Sequence, residues 1–208
     1  MAAPGHSSPI REDTFENLQL NAGIFLKDFV YSGIASAGDL KSAINTAVTG
    51  SASNLLGATR GGGSFTVTRE LRSPDVDGKR YGFKGDTFVD SVDARISTTM
   101  IEITPENIKD AFGSATLATS SSGLVHTIKL NTAIDTDDYL TNICWIGDIA
   151  DGRYVLICLK NALNEADFTL TFTDKGEGTL PVEFHAKQAN VNDYDEAPFE
   201  ILYFSPAT

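Results

Sequence analysis

Two stretches of the chain, 64–71 and 88–100, alternate apolar and polar residues with period two. In 64–71, Phe65, Val67 and Leu71 point one way while Ser64, Thr66, Thr68 and Glu70 point the other. In 88–100, Val92, Ala94, Ile96 and Met100 alternate with Ser91, Asp93, Arg95, Ser97 and Thr99. Such alternation predicts two strands, each with one buried and one wet face. The phase slips at Ile101 and Ile103, which predicts a bulge just before the second strand ends.

Other segments carry other signatures. Residues 21–31 (NAGIFLKDFVY) read as a strand with Ile24, Leu26 and Phe29 inward. In 39–48, Leu40, Ala43, Ile44 and Ala47 share one helical face behind Asp39 as N-cap. Thr104-Pro105-Glu106 has the form of a helix start, with Gly113 as its stop and Ile108, Ala111 and Phe112 docked on the core. After a loop at ATLATSSSG come strands in LVHTIKLN, YLTNICWIGDI and RYVLICLKN, then three more at 168–172, 180–187 and 198–204. The hairpin 139–161 is apolar on both faces, so it must be covered on both sides, by a helix or by another subunit. About nine strands with two or three short helices predict a mainly β, α+β fold: an antiparallel β-sandwich or barrel with flanking helices. Residues 1–20 are expected to form a flexible assembly arm, and 21–208 a single domain.

Asp151-Gly152 predicts a two-residue hairpin turn. With Ala150 paired to Arg153, Cys144 falls opposite Leu159 and Cys158 opposite Trp145. The two thiols, the only cysteines, then lie on opposite faces and are expected to stay reduced. No apolar run is long enough for a membrane span, and the first 20 residues lack the basic and apolar regions of a secretory signal. The chain has 28 acidic and 16 basic residues, a net charge of −12. That balance disfavours gripping phosphate backbones or anionic membranes, both of which draw affinity from Lys and Arg.

Few side chains stand in an arrangement that carries chemistry. His6, His126 and His185 have no metal-ligand spacing among them. GATRGGGS at 57–64 lacks the lysine and following helix of a phosphate loop, so its glycines are read as backbone devices near a crowded strand. Asp135, Asp137 and Asp138, with Asp75 and Asp77, depart from the calcium-loop pattern and read as turn carboxylates. No serine sits in a nucleophile elbow, and Trp145 lies in an apolar stretch as core. The expectation is no enzyme, no cofactor and no metal.

At LGATRGGGSFTVTREL, DGKRYGFKGDTF, ITPENIKDAFG and PFEILYF the sequence resembles the major tail proteins, or tail tube proteins, of long-tailed bacteriophages, siphophage type. The resemblance runs from about Leu18 to Phe204, with 31–56 and the ATSSSG stretch matching poorly. It implies six-fold rings that stack into a hollow tube, four strands per subunit joining an inner barrel of about 24 strands. At ~4.8 Å per strand the barrel is roughly 37 Å across, room for a DNA duplex. It further implies a virion protein made in the host cytoplasm. The implied partners are copies of itself, a tape measure protein, tail terminator and distal tail proteins, with only transient non-specific passage of DNA and no membrane binding.

On that reading Ser64, Thr66, Thr68, Glu70, Ser91, Asp93, Arg95, Ser97 and Thr99 face the lumen. Thr169, Thr171 and Thr173, and Glu183, His185 and Lys187, are candidates for the other two lining strands. An acidic or small-polar wall lets DNA slide without the counterion-release affinity of a basic one. The long polar loop 73–87 exceeds an ordinary hairpin connection, and in the family contacts the next ring. Asp75, Asp77, Lys79, Arg80 and Lys84 are the inter-ring candidates. Two other readings stand beside this one: the tube of a contractile secretion or bacteriocin particle, and a monomeric β-sandwich ligand-binding module, for carbohydrate for example.

Overall fold

Strands built from unbroken apolar runs need cover on both faces, and the arrangement of the sheets follows from that need. The computed structural model describes residues 18–19, 21–49, 54–149, 152–193 and 195–205. The described residues are mainly β, with 44% in strands and 15% in helices. The expected arm at 1–20 lies outside the described residues except for Leu18 and Gln19.

Seven antiparallel strands form one sheet that doubles over on itself at β7 (Arg153–Asn164). The first half of β7 pairs with β6 (Leu140–Ile149) and β9 (Phe199–Phe204), and β6 pairs in turn with β1 (Ile24–Lys27). The end of β7 pairs with β8 (Leu180–His185), which continues through β3 (Phe88–Met100) to β2 (Thr59–Arg72). Phe25, Ile143 and Leu159 from the first layer meet Ala94, Ile96, Val182 and Phe184 from the second in one buried core. The opposite face of β1-β6-β7-β9 carries Leu26, Cys144, Ile146, Leu156 and Cys158 against Leu40 of α1 (Ala37–Thr49) and Phe29. A helix therefore covers one side of the doubly apolar hairpin and the second sheet layer the other. Phe25 is as buried as Leu26 because both faces of β1 are covered.

α2 (Pro105–Phe112) forms as its caps dictate: Thr104 Oγ1 accepts from the Asn107 amide at 3.1 Å, Pro105 fills the first turn, and Gly113 ends it at φ 72°. Ala111 faces the core, and Phe112 stacks on Phe168 with ring centroids 4.0 Å apart. Buried Asn107 donates to the carbonyls of Leu56 and Glu102, both at 3.0 Å, and so ties this helix to the chain before β2.

Several local expectations are corrected. α1 starts two residues earlier than expected, and its cap is Ser36, not Asp39: Ser36 Oγ accepts from the Asp39 amide at 3.1 Å and donates to its carboxylate at 2.7 Å. ATLAT is not a loop but β4 (Ala115–Thr119), paired with β5 (His126–Leu130) in a separate ribbon. Residues 168–172 are not a strand. Only Thr171 bridges, to Thr179, because Phe168 and Leu170 serve as packing for the core and α2 instead of a ladder.

The expected bulge at Ile101 and Ile103 is absent; β3 ends at Met100. The register shift lies across the pair, on β2 between Thr59 and Gly63. Gly61 and Gly62 there take φ 77° and 73°, a conformation open to glycine, and a Cβ on Gly63 would stand 2.7 Å from the Phe25 ring and from the Ser97 carbonyl.

The cysteine expectation also fails. Ile149, not Ala150, pairs with Arg153, so the connection has three residues and ends on Gly152 at φ 73°. That single-residue slip places Cys144 directly opposite Cys158, on one face, and the two form a disulfide. Both sulfurs are fully buried beneath α1.

Candidate assembly surface

The second layer leaves one face uncovered, and period-two alternation fixes which side chains occupy it. β2 and β3 run antiparallel with Ser64 opposite Ser97, Thr66 opposite Arg95, Thr68 opposite Asp93 and Glu70 opposite Ser91. Directly opposed residues share a face, so eight of the nine proposed lining residues form one ladder. Thr99 continues it, opposite Pro181 on β8. Ser97 and Arg95 extend the rows to Glu183 and His185. Thr169, Thr171 and Thr173 are not brought there by a strand.

The ladder is held by its own side chains. Ser64 and Ser97 hydroxyls lie 2.8 Å apart, and Ser91 donates to Glu70 at 3.0 Å. Arg95 sits between Asp93 (3.4 Å) and Glu183 (3.8 Å), and Lys187 pairs with Glu165. His185 stands between carboxylates, Nδ1 2.7 Å from Asp93 and Nε2 3.3 Å from Glu183. The cations of this face are thus each engaged by acids, and a phosphate meets no loose positive charge there. Glu165, outside any strand, was invisible to periodicity.

Beyond the sandwich β2 and β3 continue as a projecting hairpin. Its upper face is the polar ladder. Its underside pairs Val67 with Ala94, Arg69 with Val92, and, past a register shift after Glu70, Leu71 with Val89. Leu71, Val89 and Val92 are 57%, 53% and 47% exposed although they lie on the core-facing side. The other layer opens equally. Ile201 and Tyr203, aligned with Ile157 and Val155 on the inner face, are both more than half exposed. The Phe65 and Phe199 rings, 5.7 Å apart, mark where the two layers still touch. Past them the sandwich is splayed. Among the described residues the hairpin also has free edges: β2 pairs only with β3, and the β3–β8 ladder ends where Ala186 N–H donates to the Ala94 carbonyl at 2.9 Å. Long exposed edges invite pairing with another chain.

The connecting loop is organised around one ion pair. Lys79 Nζ lies 2.6 Å from Asp86 and also donates to Ser73 Oγ (2.7 Å) and the Pro74 carbonyl (3.1 Å), while Asp86 accepts from the Phe83 amide at 2.9 Å. Lys79 therefore holds the loop from within. Asp75, Asp77, Arg80 and Lys84 are exposed on it. Tyr81 and Phe83, overlooked beside these charges, are 82% and 68% exposed; two aromatics in a polar loop were the signal available.

The hydrogen bond from Lys79 holds the Asp86 carboxyl down at about 2, helped by the Phe83 amide. A depressed carboxyl contributes order above its unfolded value, 3.8, and loses it as pH falls through the folded one. The Phe83 amide should accordingly stay protected from hydrogen exchange at neutral and mildly acidic pH and lose protection only as pH falls from 3.8 toward 2. Asp86→Ala, which removes both the acceptor and the charge, should leave it unprotected at every pH; protection that survives in this variant would show that the pair does not hold the loop.

No described group of His, Cys, Asp and Glu could hold a metal ion. Asp138, in the acidic turn, accepts from Ser114 and from the Asp135 amide. Among the described residues no helix is long and apolar enough to cross a membrane. Neither a family model nor a curated protein matches this chain.

Proposed function

We propose that the protein is the structural subunit of a phage-type tail tube: six copies close a ring through their β2–β3 sheets, and rings stack into a conduit for DNA. The observation that carries this reading is the projecting hairpin, exposed on both faces, polar above and apolar below. A lone subunit has no use for Leu71, Val89 and Val92 held in water on the core side of a strand, and patches of this kind mark association surfaces. Copies arranged head to tail around an axis cover such a surface, satisfy the strand edges, and leave the polar ladder as a continuous lining.

The lining then works by what it withholds. Its hydroxyls carry no charge, Ser64 and Ser97 being paired with each other and Ser91 with Glu70, and its Arg95 and Lys187 are engaged by acids, so DNA releases no counterions by touching it. The ordered loop at 73–87 would reach the next ring with Tyr81, Phe83, Arg80 and Lys84. Lys79, occupied internally, supports that contact without making it. The tube would take its length from a tape measure protein and its ends from terminator and distal tail proteins.

Negative-stain microscopy of the concentrated protein is the direct test. Rings with a central hole, or tubes of stacked rings, are expected; sedimentation as a monomer at every concentration tried would overturn the reading.

A further inference from the structure

The mouth of the splayed sandwich raises a question that ring formation does not answer: what covers it in a single subunit. A cavity of about 180 Å3 opens there between the layers, lined by Phe25, Phe65, Ile96, Trp145 and Ile157, with Gln19 at its rim. Its size is that of sites which take up a benzene ring. The described chain begins at this place. Gln19 bridges to Ile149 at the tip of β6, and the Ala22 carbonyl accepts from Trp145 Nε1 at 2.9 Å, so the segment leading into β1 is laid along the cavity edge.

We propose that the mouth is the docking site of the chain's own N-terminal segment, with Phe15 as the side chain that fills it. Phe15 lies four residues before Gln19, a span of at most ~14 Å, which is enough to turn from the rim into the cavity. The surrounding sequence suits a single anchor. In Arg11-Glu12-Asp13-Thr14-Phe15-Glu16-Asn17, Phe15 is the one large apolar residue among polar neighbours, three of them acidic.

Charge agrees with that choice. Arg69 projects from the hairpin underside between Val67 and Leu71, opposite Val92, and has no carboxylate partner among the described residues. A segment carrying Glu12, Asp13 and Glu16 supplies one. A second copy's hairpin, the competing occupant, brings another Arg69 and no acid on its underside. Docking within the chain would shield Phe65 and Trp145 in the free subunit and leave the outer reaches of the hairpin for a neighbour. The inference does not depend on what the subunit assembles into.

Trp145, the only tryptophan, lines the cavity and reports on it directly. The full chain, a variant lacking residues 1–17, and Phe15→Ala are to be compared at a dilution where each sediments as a monomer. Loss of the segment, or of the Phe15 ring alone, should shift Trp145 emission to longer wavelength and raise its quenching by acrylamide. Arg69→Glu should move both readings the same way. Unchanged emission and quenching in Phe15→Ala would overturn the proposal. So would a difference that appears only as concentration rises, since the segment would then occupy a neighbour. Microscopy of the same proteins reads tube formation separately, so either result stands without the other.

Discussion

Replacing Leu71 and Val89 together by Asp should abolish rings and tubes while leaving the subunit as stable as before. The two side chains face each other past the register shift of the hairpin and are more than half exposed. Substitutions at such positions change subunit stability by about 0.5 kcal/mol or less. In a ring the same side chains are buried against the neighbour, where a Leu or Val contributes ~1.5–3 kcal/mol by leaving water. Losing about 3 kcal/mol at a contact raises its dissociation constant more than 100-fold, and a carboxylate trapped in an apolar interface adds a desolvation cost. The ring repeats the loss at every interface. Thermal melting and sedimentation check the two halves of the expectation. Tubes assembled normally by the variant would remove the hairpin underside from the contact; a large fall in melting temperature would mean that the surface is part of the subunit's own core.

That contrast also marks the limit of reading the chain by periodicity. Period two placed Ser64, Thr66, Thr68 and Glu70 on one face of β2 correctly because a strand allows two directions only. It could not say that the inner face stops being covered after Phe65, since cover depends on where the opposing layer ends. α2 was legible because Thr104, Pro105 and Gly113 act locally. The β6–β7 turn was not: Ala150-Asp151-Gly152 serves a two- or a three-residue connection, and the choice shifts every partner by one. That shift alone decides whether Cys144 meets Cys158. β4 escaped notice because Ala115, Thr116 and Ala118 carry little apolar contrast. Residues 168–172 alternated well but spend their aromatic and Leu side chains on α2 and the core.

Tubes built from a subunit carrying Thr66→Lys, Thr68→Lys and Glu70→Lys should retain duplex DNA at low salt, where tubes of the unaltered chain release it. The three positions are successive members of the polar face of β2, half-buried at Thr66 and exposed at Thr68 and Glu70, so folding should be little affected. The unaltered face offers Arg95 and Lys187 as its cations, each already engaged by Asp93 and Glu183 or by Glu165. Lysines added in excess of those acids have phosphates as their remaining partners, and six copies place them around the whole circumference. Each phosphate neutralised contributes about −0.9 to the slope of log affinity against log salt. A variant making 6–10 such contacts should therefore lose roughly 10³–10⁵ in affinity between about 50 and 200 mM salt. Fluorescence anisotropy of a labelled duplex across that range measures the slope, and microscopy shows whether the retained DNA lies along the tube axis or on the outer wall. Binding confined to the outer wall would place the polar ladder outside the tube, and equal retention by both proteins would mean that the lining is not what keeps DNA free to move. An axial location with a steep slope in the variant alone would tie free passage to the side chains of β2 and β3: a wall of hydroxyls and neutralised charge passes a polyanion because it gives phosphates nothing to exchange for their counterions.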